Sequence, residues 1–223
     1  MYKTFVIFFL MGLVLTPQAQ KLRGRVLIDK EKKIYLDKTE ITVNQWFEYY
    51  TDIKSRYSEQ TAQYSLSVPD TALFRQIYGF SFFGYLDSTE IPTVKKERKI
   101  LQKKVATLPM SCFTHRQAMA FCQWLTQKVN KELKSQKKTY QLTFSLPTVA
   151  DYQNAFSRAK ITQNVPLSPC VKGSKIMGLT DNVSEYSSDF QQIICGVENK
   201  TIKTTSSTAQ PIGFRCKIQL TEE

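Results

Sequence analysis

With 223 residues, 42% of them hydrophobic, the chain can bury one sizeable core, and a single domain is the simplest count. Lys and Arg outnumber Asp and Glu by 31 to 19, a formal net charge of +12. In a cytosolic protein such an excess would raise nucleic acid as a partner; here no aromatic residues interleave the basic clusters as a stacking groove needs, and no nucleic-acid partner is expected.

The chain opens on an export signal. Lys3 precedes an unbroken apolar run from Phe5 to Leu15, and Pro17-Gln18-Ala19-Gln20 offers a small residue for cleavage near Ala19. Residues 1–20 are therefore expected to be removed, leaving 21–223 as one exported domain with a net charge of +11 once Lys3 is gone. No cysteine sits just after the apolar run, so a lipoprotein anchor is not expected, and no later stretch reaches the length of a membrane span. Five cysteines (Cys112, Cys122, Cys170, Cys195 and Cys216) suit an oxidising space, and their odd number leaves at least one unpaired within the chain. The expected partners of such a basic exported chain are an envelope protein or an anionic glycan or lipid surface. Its lysine clusters (Lys95 to Lys104 and Lys131 to Lys138) read equally as solvated surface.

In chain order, Arg25 to Ile28 and Ile34 to Leu36 read as two short strands around a charged turn. Thr42 with Gln45 forms a capping box, and Val43, Trp46, Phe47 and Tyr50 line one face of the helix it opens. From 55 to 108 the periodicity fades. An aromatic knot (Phe74, Tyr78, Phe80, Phe82, Phe83, Tyr85) and a lysine run fill this insertion, which is expected to pack down as a loop-rich cap. A second capping box, Thr114 with Gln117, starts the central helix, whose apolar face carries Ala118, Cys122, Leu125, Val129 and Leu133. Its opposite face carries Gln123, Lys131 and Lys134. A strand from Tyr140 to Phe144 and a sharp turn lead to a third helix, capped by Thr148 with Asp151. Beyond it lie a loop-like stretch to Gly178, a polar turn through Asp181 to Asp189, a strand near 192–197 and a final strand over 211–218.

Taken in this order, five segments resemble the formylglycine-generating enzyme, or sulfatase-modifying factor, family. They are Asp37-Lys38-Thr39-Glu40-Ile41-Thr42, the Pro109 to Leu125 helix start, Leu146-Pro147-Thr148-Val149-Ala150-Asp151-Tyr152, Asp181 to Asp189, and Ile212-Gly213-Phe214-Arg215-Cys216. The resemblance implies an α+β, C-type-lectin-like domain, loop-rich, with two main helices beside small antiparallel sheets. It implies a disulfide between Cys122 and Cys216, a closure that would contribute about 3–5 kcal/mol. It also implies framework roles for Glu40, Thr42, Thr114, Thr148, Asn182, Glu185, Asp189 and Arg215. Val68 to Phe74 further resembles a segment of gliding-motility and type IX secretion proteins of the GldK/GldJ kind.

The same resemblance frames the chemistry. The family's oxidase holds Cu(I) on two cysteines a few residues apart, a soft ion on soft ligands. Here the corresponding region is Gln192 to Lys200, and no cysteine lies between Cys195 and Cys216. No catalytic residue is therefore assigned, Cys195 being the one candidate. No metal is expected, calcium included, because the connection from Phe156 to Gly178 is shorter than the family's calcium-bearing loops. The single histidine, His115, is expected to be exposed near a helix start, and one histidine excludes a three-histidine iron site or a multi-histidine zinc site. No nucleophile elbow or phosphate-cradling glycine loop is present. Glu185 and Asp189, four apart, could mimic a catalytic carboxylate pair, but read as framework. The expectation is a non-catalytic module for binding or assembly in the bacterial cell envelope. The alternative is a copper-dependent oxidase of the formylglycine-generating type, or another thiol enzyme, built on Cys195.

Overall fold

The computed structural model describes residues 22, 24–87, 100, 103–156, 176–179, 182–189, 193–198, 201–205 and 211–222, with 193–198 and 201–205 described by their backbone. The signal-peptide segment, the lysine run near 95–99 and Cys170 lie outside the described residues.

Each long helix begins where side chains satisfy its first backbone donors. Helix α1 (Val43–Arg56) starts at Thr42, whose Oγ1 accepts from Gln45 N at 3.3 Å while Gln45 Oε1 accepts from Thr42 N at 2.8 Å. Its stripe of Val43, Trp46, Phe47 and Tyr50 is buried, as the periodicity predicts. The insertion is more regular than expected: α2 (Ala62–Ser67), α3 (Thr71–Tyr78) and α4 (Phe82–Asp87) occupy it. Thr61 caps α2, Asp70 caps α3, and Gly79 ends α3 at φ 82°, the left-handed conformation that glycine adopts without strain. Such short helices carry too few turns for a hydrophobic period to emerge. The knot does pack down: Phe74, Phe80 and Phe82 are buried, and Phe47 stacks on Phe82 at 4.6 Å and on Tyr85 at 4.4 Å. Phe83 remains exposed at the surface.

Helix α5 (His115–Ser135) starts from the Thr114–Gln117 capping box, and Gln117 Nε2 also donates to Val68 O at 2.6 Å, tying the helix to the cap. Its buried face is broader than the predicted stripe, because Phe121 and Trp124 turn inward beside Ala118 and Cys122. Trp46 lies at the centre of this packing. Its indole stacks on Phe113 at 4.9 Å and Phe121 at 5.7 Å, meets Phe214 edge-on at 6.3 Å, and donates to Ser67 O at 3.0 Å. Helix α6 (Val149–Phe156) completes the set, with Asp151 N donating to Thr148 Oγ1 at 3.1 Å.

Two four-stranded sheets carry the helices. The first runs β1 (Arg25–Asp29), β2 (Ile34–Asp37), β8 (Lys217–Glu222), β3 (Tyr140–Ser145), all antiparallel. Alternation along β2 serves two cores: Tyr35 joins the large one, while Ile34 and Leu36 join a smaller one with Tyr152, Ala155, Ile176 and Leu179. The outer edge of β3 is covered by α5. Asn130 donates to Leu142 O and accepts from Leu142 N, both at 2.9 Å, and Thr126 Oγ1 does the same for Phe144 O at 3.3 Å and Phe144 N at 2.9 Å. These side chains fill backbone positions that would otherwise invite a further strand.

The second sheet runs β6 (Thr201–Thr205), β5 (Ile193–Glu198), β4 (Ser184–Tyr186), β7 (Ile212–Gly213), with β4 and β7 parallel. Three features differ from the sequence reading, the first being the edge strand β6. The polar turn near Asp181 contains the short strand β4, and the expected final strand is broken in two at Phe214-Arg215-Cys216, which lie in neither β7 nor β8. That break lets residue 214 reach sideways, its carbonyl accepting from Ile41 N at 2.8 Å.

Candidate functional site

The break between β7 and β8 places Arg215 in the interior, fully buried. Its guanidinium forms a fork with Glu185 of β4: Nε lies 2.8 Å from Oε2 and 3.0 Å from Oε1, and Nη2 lies 2.5 Å from Oε1. The remaining donors reach Asp37 O at 3.2 Å and Met177 O at 3.0 Å. A buried guanidinium needs this full complement of acceptors, because each unsatisfied donor would be stranded away from water. Tyr152 of α6 donates its hydroxyl to Glu185 Oε2 at 2.8 Å, and the Glu185 charge, with burial the larger cause, holds that phenol well above its ordinary range.

Glu40 closes the cluster from the α1 side, 1% exposed, with Oε1 3.9 Å from Arg215 Nη2. Asn182 adds a side-chain hydrogen bond to its carboxyl. Gly178 lies against the same carboxyl so closely that a Cβ there would sit 2.2 Å from Oε1, and its φ of 71° also favours glycine. Sequence reasoning missed Tyr152 and Gly178 as partners; both lie within or beside the segments that carry the resemblance, and only the fold brings them together.

The other framework residues serve backbone. Thr42, Thr114 and Thr148 are the three caps. Asp189 accepts from Val149 N at 2.9 Å at the start of α6, whereas Glu185 serves Arg215, so the two carboxylates spaced four apart do not act as a pair. Asp151 also reaches Lys217 Nζ at 3.0 Å. His115 departs from expectation. It is half-buried, with Nε2 2.7 Å from Ser187 O and its ring edge-on to Tyr186 at 5.4 Å, because the first turn of α5 packs against the strand end beyond β4.

The described cysteines are interior. Cys122 on α5 and Cys216 just before β8 face each other with sulfurs 3.7 Å apart, unbridged, and are 2% and 0% exposed. The contact between them and burial raise the Cys216 thiol well above its usual range. Cys112, 5% exposed, has its thiol pushed up to about 12, chiefly by burial, with Ser111 opposing. Copper, the metal of the family's oxidase, needs soft thiolate ligands open to oxygen and substrate. Cys112, Cys122 and Cys216 do not fit that demand: their sulfurs are enclosed by the core. Cys170 and the side chain of Cys195 lie outside the described residues; the backbone of Cys195 is on β5, paired with Lys203. Among the described residues no three His, Cys, Asp or Glu side chains converge as metal ligands, and no helix is long and apolar enough to cross a membrane.

Mixed α+β layering, a strand-broken Gly-Phe-Arg-Cys segment and a buried Arg–Glu cluster define a domain of the sulfatase-modifying type. The family described as "Sulfatase-modifying factor enzyme 1-like domain" matches residues 28–213, and the chain belongs to that family. No curated protein matches it.

Proposed function

We propose that this chain is an exported, non-catalytic sulfatase-modifying-factor-like domain that serves as a binding or assembly module in the bacterial cell envelope. The observation that carries the reading is the placement of sulfur. Three of five cysteines are committed to the interior, which leaves Cys170 and Cys195, separated by 24 intervening residues, in place of a closely spaced pair. The enclosed sulfurs Cys122 and Cys216 are taken to form a structural disulfide in an oxidising compartment. Export rests on the apolar run at residues 5–15, and an anionic glycan, lipid or acidic envelope protein as partner rests on the net charge of +12, or +11 once residues 1–20 are removed. The likeness of residues 68–74 to gliding and type IX secretion proteins supports an assembly role.

Copper decides between this reading and the oxidase. Titrated with Cu(I) against a chromogenic chelator, the purified protein is expected to leave the chelator's copper in place, and Cys195→Ser to behave identically. Tight stoichiometric binding that disappears in Cys195→Ser contradicts the proposal and makes the chain a copper-dependent oxidase or another thiol enzyme of Cys195.

A further inference from the structure

One guanidinium serves two buried carboxylates, and it serves them unequally. Arg215 gives Glu185 a fork at 2.5–3.0 Å but approaches Glu40 only to 3.9 Å. Among the described residues, these groups face Glu40 from the elements packed against it. From the residues between β7 and β8 comes Arg215; from β4, Glu185; from α6, the phenol of Tyr152, which is spent on Glu185. Asn182 offers a neutral amide, and the backbone of Gly178 closes the remaining side. Arg25 is paired with Asp37 at 3.0 Å. With both glutamates ionised these described groups, two carboxylates to one guanidinium, would hold a net negative charge away from water, which a low-dielectric interior opposes strongly.

We propose that Glu40 is the neutral acid in the folded protein, so that folding takes up a proton at this position and the fold tightens as the medium becomes mildly acidic. The segment under control is 176–179. Met177 N donates to Lys38 O at 2.7 Å, Arg215 Nη2 donates to Met177 O at 3.0 Å, and Gly178 rests on the Glu40 carboxyl. Ionising Glu40 places a charge against this loop and competes for the Arg215 donor that holds it.

The electrostatics agree with the geometry. Burial raises Glu40 from its ordinary 4.5 to about 7, with Arg215 opposing and Glu185 adding to the rise. An acid raised on folding contributes stability that is fully present below the unfolded value and is lost as pH rises through the folded one. Asp37 acts in the same direction, raised mainly by burial against the pull of Arg25. Asp151 acts oppositely: burial pushes it up, but the Thr148 hydrogen bonds and Lys217 outweigh that and lower it, so its contribution is lost only in strong acid.

The test is denaturant unfolding of the wild type and Glu40→Gln across a pH series. Between about pH 5 and about pH 8 the wild-type unfolding constant is expected to rise on the order of 100-fold, and that of Glu40→Gln to lose most of this rise. A flat wild-type profile, or an equal slope in Glu40→Gln, overturns the proposal. Should Glu40→Gln not fold, isotope-edited infrared spectroscopy of glutamate-labelled wild type decides: a protonated-carboxyl band that fades in alkali supports it, and no such band overturns it.

Discussion

Arg215→Met is expected to destabilise the fold by about 3–5 kcal/mol, the range for removing one partner of a fully buried ion pair. The size follows from what remains. Glu185 is 2% exposed and would keep only the Tyr152 hydroxyl, while the carbonyls of Asp37 and Met177 would lose their donors. Most of the loss is thus the stranding of a carboxylate, not the disappearance of an attraction. This distinction is measurable in a double-mutant cycle by chemical denaturation. Glu185→Gln added to Arg215→Met is expected to cost clearly less than the sum of the two single changes, because the amide needs no counter-charge. Additive losses would show that the two side chains act separately.

Trp46→Ala is the second change of this size, with an expected loss of about 3–5 kcal/mol. Trp46 is fully buried, stacks on Phe113 and Phe121, and bridges α1 to the Phe214 segment and to the end of α2. Its neighbours belong to four separate parts of the fold, so they cannot close over the void by one shift. Truncation also leaves Ser67 O without its 3.0 Å donor. A thermal or denaturant midpoint close to that of wild type would show that the core collapses around the site, contrary to this account.

Legibility in the sequence followed the range of the interactions. Thr42–Gln45, Thr114–Gln117 and Thr148–Asp151 each act across three residues, so the starts of α1, α5 and α6 could be read from adjacent letters. The strands around the charged turn were equally local. The helices α2 to α4 escaped because six to eight residues do not establish a period, although Asp70 and Gly79 were caps in plain view. β4 and β6 escaped because a three-residue strand and an edge strand take their identity from their neighbours. At the site, resemblance named Glu40, Glu185 and Arg215, but the fork that joins two of them spans 30 residues of sequence, and the Asp37 carbonyl lies 178 from Arg215. No local pattern records such distances, nor the inward turn of His115 toward Ser187.

The account depends on where sulfur lies, and peptide mapping of the exported, oxidised protein tests that most directly. The expected result is a Cys122–Cys216 linkage, with Cys112 reacting with a thiol reagent only after unfolding. A linkage joining Cys195 to Cys122 or to Cys216, or native-state labelling of Cys122 and Cys216 as two accessible thiols, would contradict it.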